Sequence, residues 1–587
     1  MRATYKSWQK ISSSEIRSCA PRSFDVVVVN TFFDEKELLS SVEVNQKEVS
    51  KRITPTIDLI KKAASLLKDG GLLFVYGLPR HLPFYSVYLN DTKIDDDYFL
   101  FKYWIAVEFK PINKDLQLLP SSHVGLLMYL KTKSLEVPTP FHLNTKNIRA
   151  PHKRCTYCGL NVKDWGGKKH LLNKLGAAIS DVWNGFDESV NHSSKIPDAC
   201  LRRIYKLTKK EEKNSMLVVE QKKVSPLVLN LRSDSTTDSL RPFMNDAVIR
   251  ADSIKLMREY VDKYPEGPFD FVFADPPYNL SKNYNEYSDA RSDKEYVSWC
   301  NEWLDLMRRI LRPGGVLFVL NIPKWAVYHA EFLNKTMEFR NWIVWDALSS
   351  PAGKLMPAHY SLLFYTKPGG KAVSNYDSLA QIDSREYCLR ASCVNKRKKY
   401  GADRKEPMTD IWHDIHRIKH KRDRDSHPCQ LPIKLMTRLI ELTTKSGDWV
   451  FDPFGGAGTT AVAARLCGRH FIISDMDDEY VKISRRNLNK IKASPSGERY
   501  IERNRVSRPR KLVVKKTVET AFISICKQKR QVLSKDELRI VSPELFQTIE
   551  NYYPDYSYLT KIAKRFMEID RVASVPYQAR LINQTAP

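Results

Sequence analysis

Residues 269–275, FDFVFAD, form a short run of aromatic and β-branched side chains, the pattern of a strand buried on both faces. Downstream, Trp299, Trp303, Leu306, Met307 and Ile310 recur at helical spacing, and Pro313-Gly314-Gly315 is expected to stop that helix. VLFVLNI (316–322) reads as the next strand. A second unit repeats the alternation: a strand at Trp449–Phe451, a loop with Gly455, Gly456 and Gly458, a helix beginning near Thr459, and a strand at Phe471–Ser474. Strand, helix and strand joined by tight glycine turns predict an α/β fold with a mainly parallel sheet.

The same patterning occurs earlier in the chain. SFDVVVVNTFF (23–33) aligns with PFDFVFADPPY (268–278), and LLKDGGLLFVYGLP (66–79) with ILRPGGVLFVLNIP (310–323). Asn30 and Asp275 are 245 positions apart, Gly70 and Gly314 244. The register continues through HVGLLMYLKTK (123–133) and HYSLLFYTKP (359–368), SDVW (180–183) and TDIW (409–412), and HSSKIPDACLRRI (192–204) and HPCQLPIKLMTRL (427–439). Order and spacing kept over so many blocks imply an internal duplication.

The exit of the 269–274 strand carries candidate chemistry. Open α/β sheets hold ligands beyond the carboxyl ends of their strands, where Asp275 would stand. Pro276 and Pro277 hold the following backbone extended. A carboxylate oxygen and the Pro276 carbonyl can then both accept from one amino group, while Tyr278 offers a ring face to a flat base. A bare PPY would read as a proline-rich strand exit. The glycine loop changes that reading, because its backbone can approach a ligand closely and the helix after it presents free N–H groups. Asp475, at the end of the next strand, can accept hydrogen bonds from ribose hydroxyls.

As a set these residues resemble the amino-group DNA methyltransferases that depend on S-adenosylmethionine. DPPY (275–278) is similar to that family's catalytic tetrapeptide, DPFGGAGTT (452–460) to its cofactor loop, and HPCQLP (427–432) to the segment closing the cofactor pocket. ISDMDDEYV (473–481) resembles its acidic second strand, and the order is that of the β class. Leu431 stands where the family commonly has Lys, and Ala457 where it commonly has Ser.

The resemblance implies a Rossmann-like methyltransferase sheet, duplicated: a degenerate copy in 1–225, a catalytic copy in 240–495, and a basic linker with a small helical extension in 496–587. It implies methyl transfer to adenine N6 by Asp275, Pro276, Pro277 and Tyr278, the leading Asp favouring adenine over cytosine N4. Asp452, Phe454, Gly456, Gly458 and Thr459 would line the methionine end of the cofactor and Asp475 its ribose. Asp252 resembles the family's acid near the cofactor adenine and equally suits a helix N-cap. Cytosine N4 methylation, an RNA substrate, and a DNA-binding protein that no longer turns over are the alternatives. The first copy has Asn30-Thr31-Phe32-Phe33 in place of the tetrapeptide, and LVVEQKKVSPL (217–227), without glycine, in place of the loop. It is expected to be catalytically silent, either gripping DNA within a built-in pseudo-dimer or persisting as a structural remnant.

A net charge of +27 on 587 residues favours a polyanionic partner, here double-stranded DNA, over a merely solvated basic surface. NKRKKYGADRK (395–405) and RIKHKRDR (417–424) suit phosphate contacts, and RNRVSRPRKLVVKK (503–516) reads as a basic linker. Ser534 with Glu537 resembles a capping box in the helical tail. No apolar run approaches a membrane span and the start lacks a secretory signal, so a cytoplasmic, nucleoid-associated protein without membrane contact is expected. Ten cysteines are too sparse for a disulfide scaffold. No resident metal is expected. Cys155 and Cys158 nevertheless have the gap of a zinc knuckle, with His152 and His170 as possible partners and no second CxxC in the chain. Residues 163–168, KDWGGK, equally suit a DNA-contacting loop.

Overall fold

The structure is a computed structural model that describes residues 8–33, 46–112, 119–145, 148–162, 172–184, 195–209, 215–222, 244–280, 291–347, 355, 357–379, 381–388, 390–402, 404–418, 430–489, 491, 519, 521–552, 556–557 and 559–564. The chain divides into two compact units, Met1–Gly497 and Glu498–Pro587. Residues 163–168 with His170, 419–429 and 503–516 lie outside the described residues.

The first unit contains two mixed sheets. The strands of the first are β1 (Gln9–Ser12), β2 (Phe24–Asn30), β3 (Leu67–Gly77), β4 (Tyr98–Ile112), β5 (Ser121–Thr132), β6 (Val182–Trp183) and β7 (Met216–Glu220), in the order β1-β7-β2-β3-β5-β4-β6. Those of the second are β8 (Ala247–Arg250), β9 (Phe269–Ala274), β10 (Leu311–Asn321), β11 (Glu338–Asp346), β12 (His359–Thr366), β13 (Ile411–Trp412), β14 (Trp449–Asp452) and β15 (His470–Asp475). Their order is β8-β15-β14-β9-β10-β12-β11-β13. From β7 and from β14 onward the two orders correspond strand by strand, with β3/β5/β4 and β10/β12/β11 antiparallel and the other pairs parallel.

The correspondence extends to an irregularity. Phe24 pairs with Leu67 and Val26 with Leu72, and likewise Phe269 pairs with Leu311 and Phe271 with Val316. Each partner strand therefore inserts a bulge at its glycines, and Gly70 and Gly314 have φ of +71° and +75°. The preceding helix ends at Ile310, just before Pro313-Gly314-Gly315 as expected, and these three residues also form the bulged start of β10. Carboxylates brace both sheets below this point. Buried Asp270 accepts from the Trp449 backbone N–H at 2.7 Å, and half-buried Asp25 from that of Ser215 at 3.0 Å.

Helices cover both sheets: α1 (Gln46–Ser65), α2 (Leu82–Asp91), α3 (Asp198–Thr208), α4 (Ser253–Lys263), α5 (Asp293–Ile310), α6 (Pro323–Leu333), α7 (Ala391–Lys399), α8 (Ile433–Thr443), α9 (Thr459–Leu466) and α10 (Asp478–Asn489). α5 starts at a reciprocal capping box between Ser292 and Glu295 and buries Trp303, Leu306, Met307 and Ile310. The second unit is a small helical body with α11 (Lys535–Val541) and α12 (Pro543–Tyr552), packed around Phe522, Cys526, Leu533, Leu538 and Ile549. The Ser534–Glu537 capping box is present there. No helix among the described residues is long and apolar enough to cross a membrane.

The two sheets share one core. α2 packs on α6, and Trp104 of β4 stacks on Trp342 of β11 with ring centroids 3.9 Å apart and planes 2° from parallel. Polar pairs cross this contact reciprocally. His123 Nδ1 lies 3.1 Å from Asp410 Oδ2, and His359 Nδ1 lies 3.0 Å from Asp181 Oδ2. The other carboxylate oxygen of each acid accepts a backbone N–H beside the opposite histidine, from Ser122 and Ala358, both at 2.9 Å. Burial makes each pair expensive to break from one side.

Trp104→Ala and Trp342→Ala are each expected to destabilise the first unit by about 3–5 kcal/mol. The double variant should lose less than their sum by about 0.5–1.5 kcal/mol. Denaturant midpoints of the single and double variants check this, and strictly additive losses would exclude an energetic role for the stack.

Candidate active site

β9 and β14 are adjacent parallel strands, with Phe271 opposite Val450 and Val272 opposite Phe451. Both therefore deliver their carboxyl ends to one edge, where the strand order departs from the chain order. A cavity of about 330 Å³ opens there. Asp275, Pro276, Pro277 and Tyr278 line one side, and Asp452, Phe454, Gly456, Thr459 and Asp475 another, together with Asp252. Gly458 is behind this wall, at the N-cap of α9.

The tetrapeptide is held by its carbonyls. Tyr296 Oη donates to the Pro277 carbonyl at 2.6 Å and Trp325 Nε1 to that of Tyr278 at 2.7 Å. Tyr296 is itself fixed by Asn321 of β10 at 3.2 Å. Among the described residues, no hydrogen bond reaches the Pro276 carbonyl. Tyr278 Oη donates to Asp275 Oδ1 at 2.6 Å, and its ring lies 6.0 Å from that of Tyr360. Asn279 then donates to Arg291 O at 2.9 Å and accepts from Arg291 N at 2.8 Å.

The glycine loop is equally constrained. Gly456 and Gly458 have φ of +49° and +82°, a region that favours glycine, and a Cβ on Gly458 would lie 2.8 Å from Ser484 Cβ. Asp475 Oδ2 accepts from Gly456 N at 2.9 Å, and Ser484 Oγ donates to Gly456 O at 2.7 Å. Asp452 accepts from Phe454 N at 2.9 Å and from Thr460 Oγ1 at 2.5 Å. Burial pushes the Asp452 carboxyl up to about 7, against these hydrogen bonds and with the nearby Asp475 charge adding to the rise. Asp475 is raised as well, again mainly by burial. Two desolvated acids on one wall suit a cationic ligand group, whose charge they would complement.

Asp252 Oδ1 caps α4, accepting from Ile254 N at 2.9 Å and Lys255 N at 3.1 Å, and the residue also lines the cavity. Arg291, Trp299, Gln430, Leu431 and Met476 line the cavity too. Trp299 reads in the sequence as one member of a helical stripe. It is partly buried, beside Phe454 at 5.9 Å and under the Arg291 guanidinium at 4.7 Å. Met476 is an apolar side chain 55% exposed directly after the acid Asp475, and that position is the signal by which it could have been found.

At the equivalent edge of the first sheet the crevice between β2 and β7 is bridged. Gln221 Oε1 accepts from Phe32 N at 3.0 Å and its amide donates to Thr56 Oγ1 at 2.9 Å. Phe33 is buried against Tyr76, with ring centroids 6.2 Å apart. Outside both edges, half-buried His152 is hydrogen-bonded to Asn173 O at 2.9 Å, His170 lies outside the described residues, and Cys155 and Cys158 lie against Cys393 and Cys388.

The family profile described as DNA methylase, of the N6/N4 type, matches residues 269–486. The Type II methyltransferase M.BamHI of Bacillus amyloliquefaciens is 35% identical over 258 residues, covering 42% of this chain and 59% of that protein. The DNA adenine methyltransferase YhdJ of Escherichia coli is 27% identical over 267 residues, covering 42% of this chain and 84% of the relative. The chain thus spans somewhat more than half of the first and most of the second. Among solved structures, M1.HpyAVI with SAM aligns over 41% of this chain and 98% of its own length, at 18% identity and a TM-score of 0.30.

The raised Asp452 carboxyl gives a pH signature. Its folded value near 7 lies above the ordinary 3.8, so the folded state holds the proton more tightly. Its contribution is fully present below about pH 4 and is lost as pH rises through about 7, by up to roughly 4 kcal/mol. Asp452→Asn keeps an acceptor for Phe454 N–H and should lose less stability between pH 5 and 8 than the parent. Urea midpoints at the two pH values test this; parallel losses in both proteins would exclude it.

Proposed function

Because residues 269–486 belong to the N6/N4 DNA methylase family, we propose that this protein transfers a methyl group from S-adenosylmethionine to the N6 amino group of adenine in double-stranded DNA. The observation that carries the proposal is the single cavity lined by both the Asp275–Tyr278 exit and the Asp452–Thr459 loop. The residues present fit the cofactor: a buried acid pair at Asp452 and Asp475 matches a cationic group, the glycine loop admits close backbone approach, and Met476, Phe454 and Trp299 supply apolar walls. Asp475, Asp252 and the loop residues would hold it. When bound, S-adenosylmethionine supplies an electrophilic methyl on its sulfonium.

The chain's own residues would act on the base. An adenine amine is a poor nucleophile because its lone pair is delocalised into the ring. Asp275 and the Pro276 carbonyl would accept its two N–H bonds, favouring a tetrahedral nitrogen with its lone pair directed into the cavity. The Tyr278 hydroxyl now on Asp275 would yield to the incoming amine while its ring stacks on the base. An extruded base is required, since the amine is paired within a duplex. No side-chain nucleophile is needed, because transfer is direct. Phosphates would meet Lys396, Lys398 and Lys399, exposed on α7, in keeping with the net charge of +27 and with action on the nucleoid.

Residues 1–225 form, in this proposal, a degenerate copy of the catalytic domain at 240–495, with 496–587 as an appended linker and helical unit. The matching strand orders, the shared bulge and the reciprocal His–Asp pairs support a built-in pseudo-dimer. The Gln221 bridge supports a silent first site.

Asp275→Ala is expected to lower methyl transfer by about 10²–10³-fold or more while leaving DNA affinity within about threefold. Full turnover in that variant would remove Asp275 from the site. Asn30→Ala should leave turnover nearly unchanged, and its collapse would show that the first copy takes part. Tritium from labelled cofactor should appear in N6-methyladenine on digestion of plasmid DNA. Label in N4-methylcytosine, or transfer to folded RNA in preference to duplex DNA, would replace the substrate assigned here.

A further inference from the structure

Four cysteines that are scattered in sequence meet in space. Cys155 and Cys158 belong to the first half of the chain, Cys388 and Cys393 to the stretch between β12 and β13, and their four sulfurs lie within 4.8 Å of one another. Cys155 Sγ is 3.8 Å from Cys393 Sγ, and Cys158 Sγ is 3.6 Å from Cys388 Sγ. Sulfurs bound at about 2.3 Å to one tetrahedral zinc ion would be separated by roughly 3.8 Å. A disulfide needs about 2.05 Å, and all four cysteines are free. We propose that Cys155, Cys158, Cys388 and Cys393 form a structural zinc site that fastens the first half of the chain to the α7 segment of the second.

The backbone around the sulfurs is built for such a site. Gly159 donates to Cys155 O at 2.9 Å and Cys155 to Leu160 O at 2.7 Å, closing a tight knuckle in which Gly159 has a φ of +68°. The second pair brackets the start of α7, with Cys388 before the helix and Cys393 in its first turn. Thr156 N donates to Glu386 O at 3.0 Å, and Arg390 Nη1 to Asn161 O at 2.7 Å, so the two segments are already aligned by hydrogen bonds.

Charge and burial point the same way. Arg397 is fully buried, stacks over Tyr387 at 4.4 Å, and donates to Cys393 Sγ at 3.1 Å and Cys388 O at 3.2 Å. A zinc ion with four thiolates carries a net charge of −2, which a buried guanidinium in contact with it would offset. The local apolar cluster consists of little beyond the cysteines themselves, Tyr387, Tyr157 and Val162. A cluster that small needs a staple to stay folded. The ion would lock α7, with its exposed Lys396, Lys398 and Lys399, onto the first half. The four-sulfur set, with no fifth donor and no open position, is that of a closed structural site rather than a catalytic one.

The test is the metal content of the full-length protein purified without chelator. Mass spectrometry should find about one zinc per chain, released when a mercurial thiol reagent titrates the cysteines. Cys158→Ser and Cys388→Ser should each reduce zinc by about tenfold or more, whereas Cys19→Ser retains it. If the cluster variants fail to fold, the parent protein still decides: refolded with Co²⁺, it should show the thiolate-to-cobalt charge-transfer bands and the intense visible absorption of a tetrahedral four-sulfur site. Metal-free parent protein, iron in place of zinc, or zinc retained in both cluster variants would overturn the proposal.

Discussion

The hydrogen bonds between β9 and β14 are the constraint from which the active-site geometry follows. Phe271 opposite Val450 and Val272 opposite Phe451 make neighbours of two strands that lie far apart along the chain. Because the pair is parallel, both strands end on the same side, and the exits at Asp275 and Asp452 face one cavity. Each exit is then fixed by its own means, the first by prolines and by donors to the Pro277 and Tyr278 carbonyls, the second by left-handed glycines and the carboxylates of Asp452 and Asp475. Slipping the β9–β14 register by one residue would bring Phe271 and Phe451, now on opposite faces, to the same face and misalign both exits.

Much of this was legible because it is written locally. The apolar run at 269–274, the glycine loop and the acid ending β15 each specify their own backbone, and their order along the chain places them at a strand switch. Pro313-Gly314-Gly315 was legible as a helix stop but not as a bulged strand start, because the same residues serve both and only pairing with β9 shows the second role. Trp299 is legible only as a member of a helical stripe, which does not reveal that its N-terminal member overhangs a cavity. Cys388 and Cys393 were invisible as partners of Cys155 and Cys158 because they sit more than 200 residues away at a different spacing.

The contact between the two sheets was also out of reach, although its residues were in view as aligned blocks. HVGLL and HYSLL, SDVW and TDIW show that the two halves correspond, but not that the histidine of one half meets the acid of the other. That pairing depends on which faces meet. The reciprocal His123–Asp410 and His359–Asp181 pairs, with Trp104 on Trp342 between the strands, have the self-complementary form of a two-fold interface made within one chain.

An interface of that kind, once satisfied internally, is closed to other copies. A face covered by the chain's own first half offers no room for a second molecule to dock there, and the local concentration of its partner never falls on dilution. In the proposed pseudo-dimer one crevice is an open cavity and the other is bridged by Gln221. Under the proposed function, such a body would present its reactive side to only one strand at a time of a target that reads alike on both strands, and would have to dissociate or turn around to reach the other.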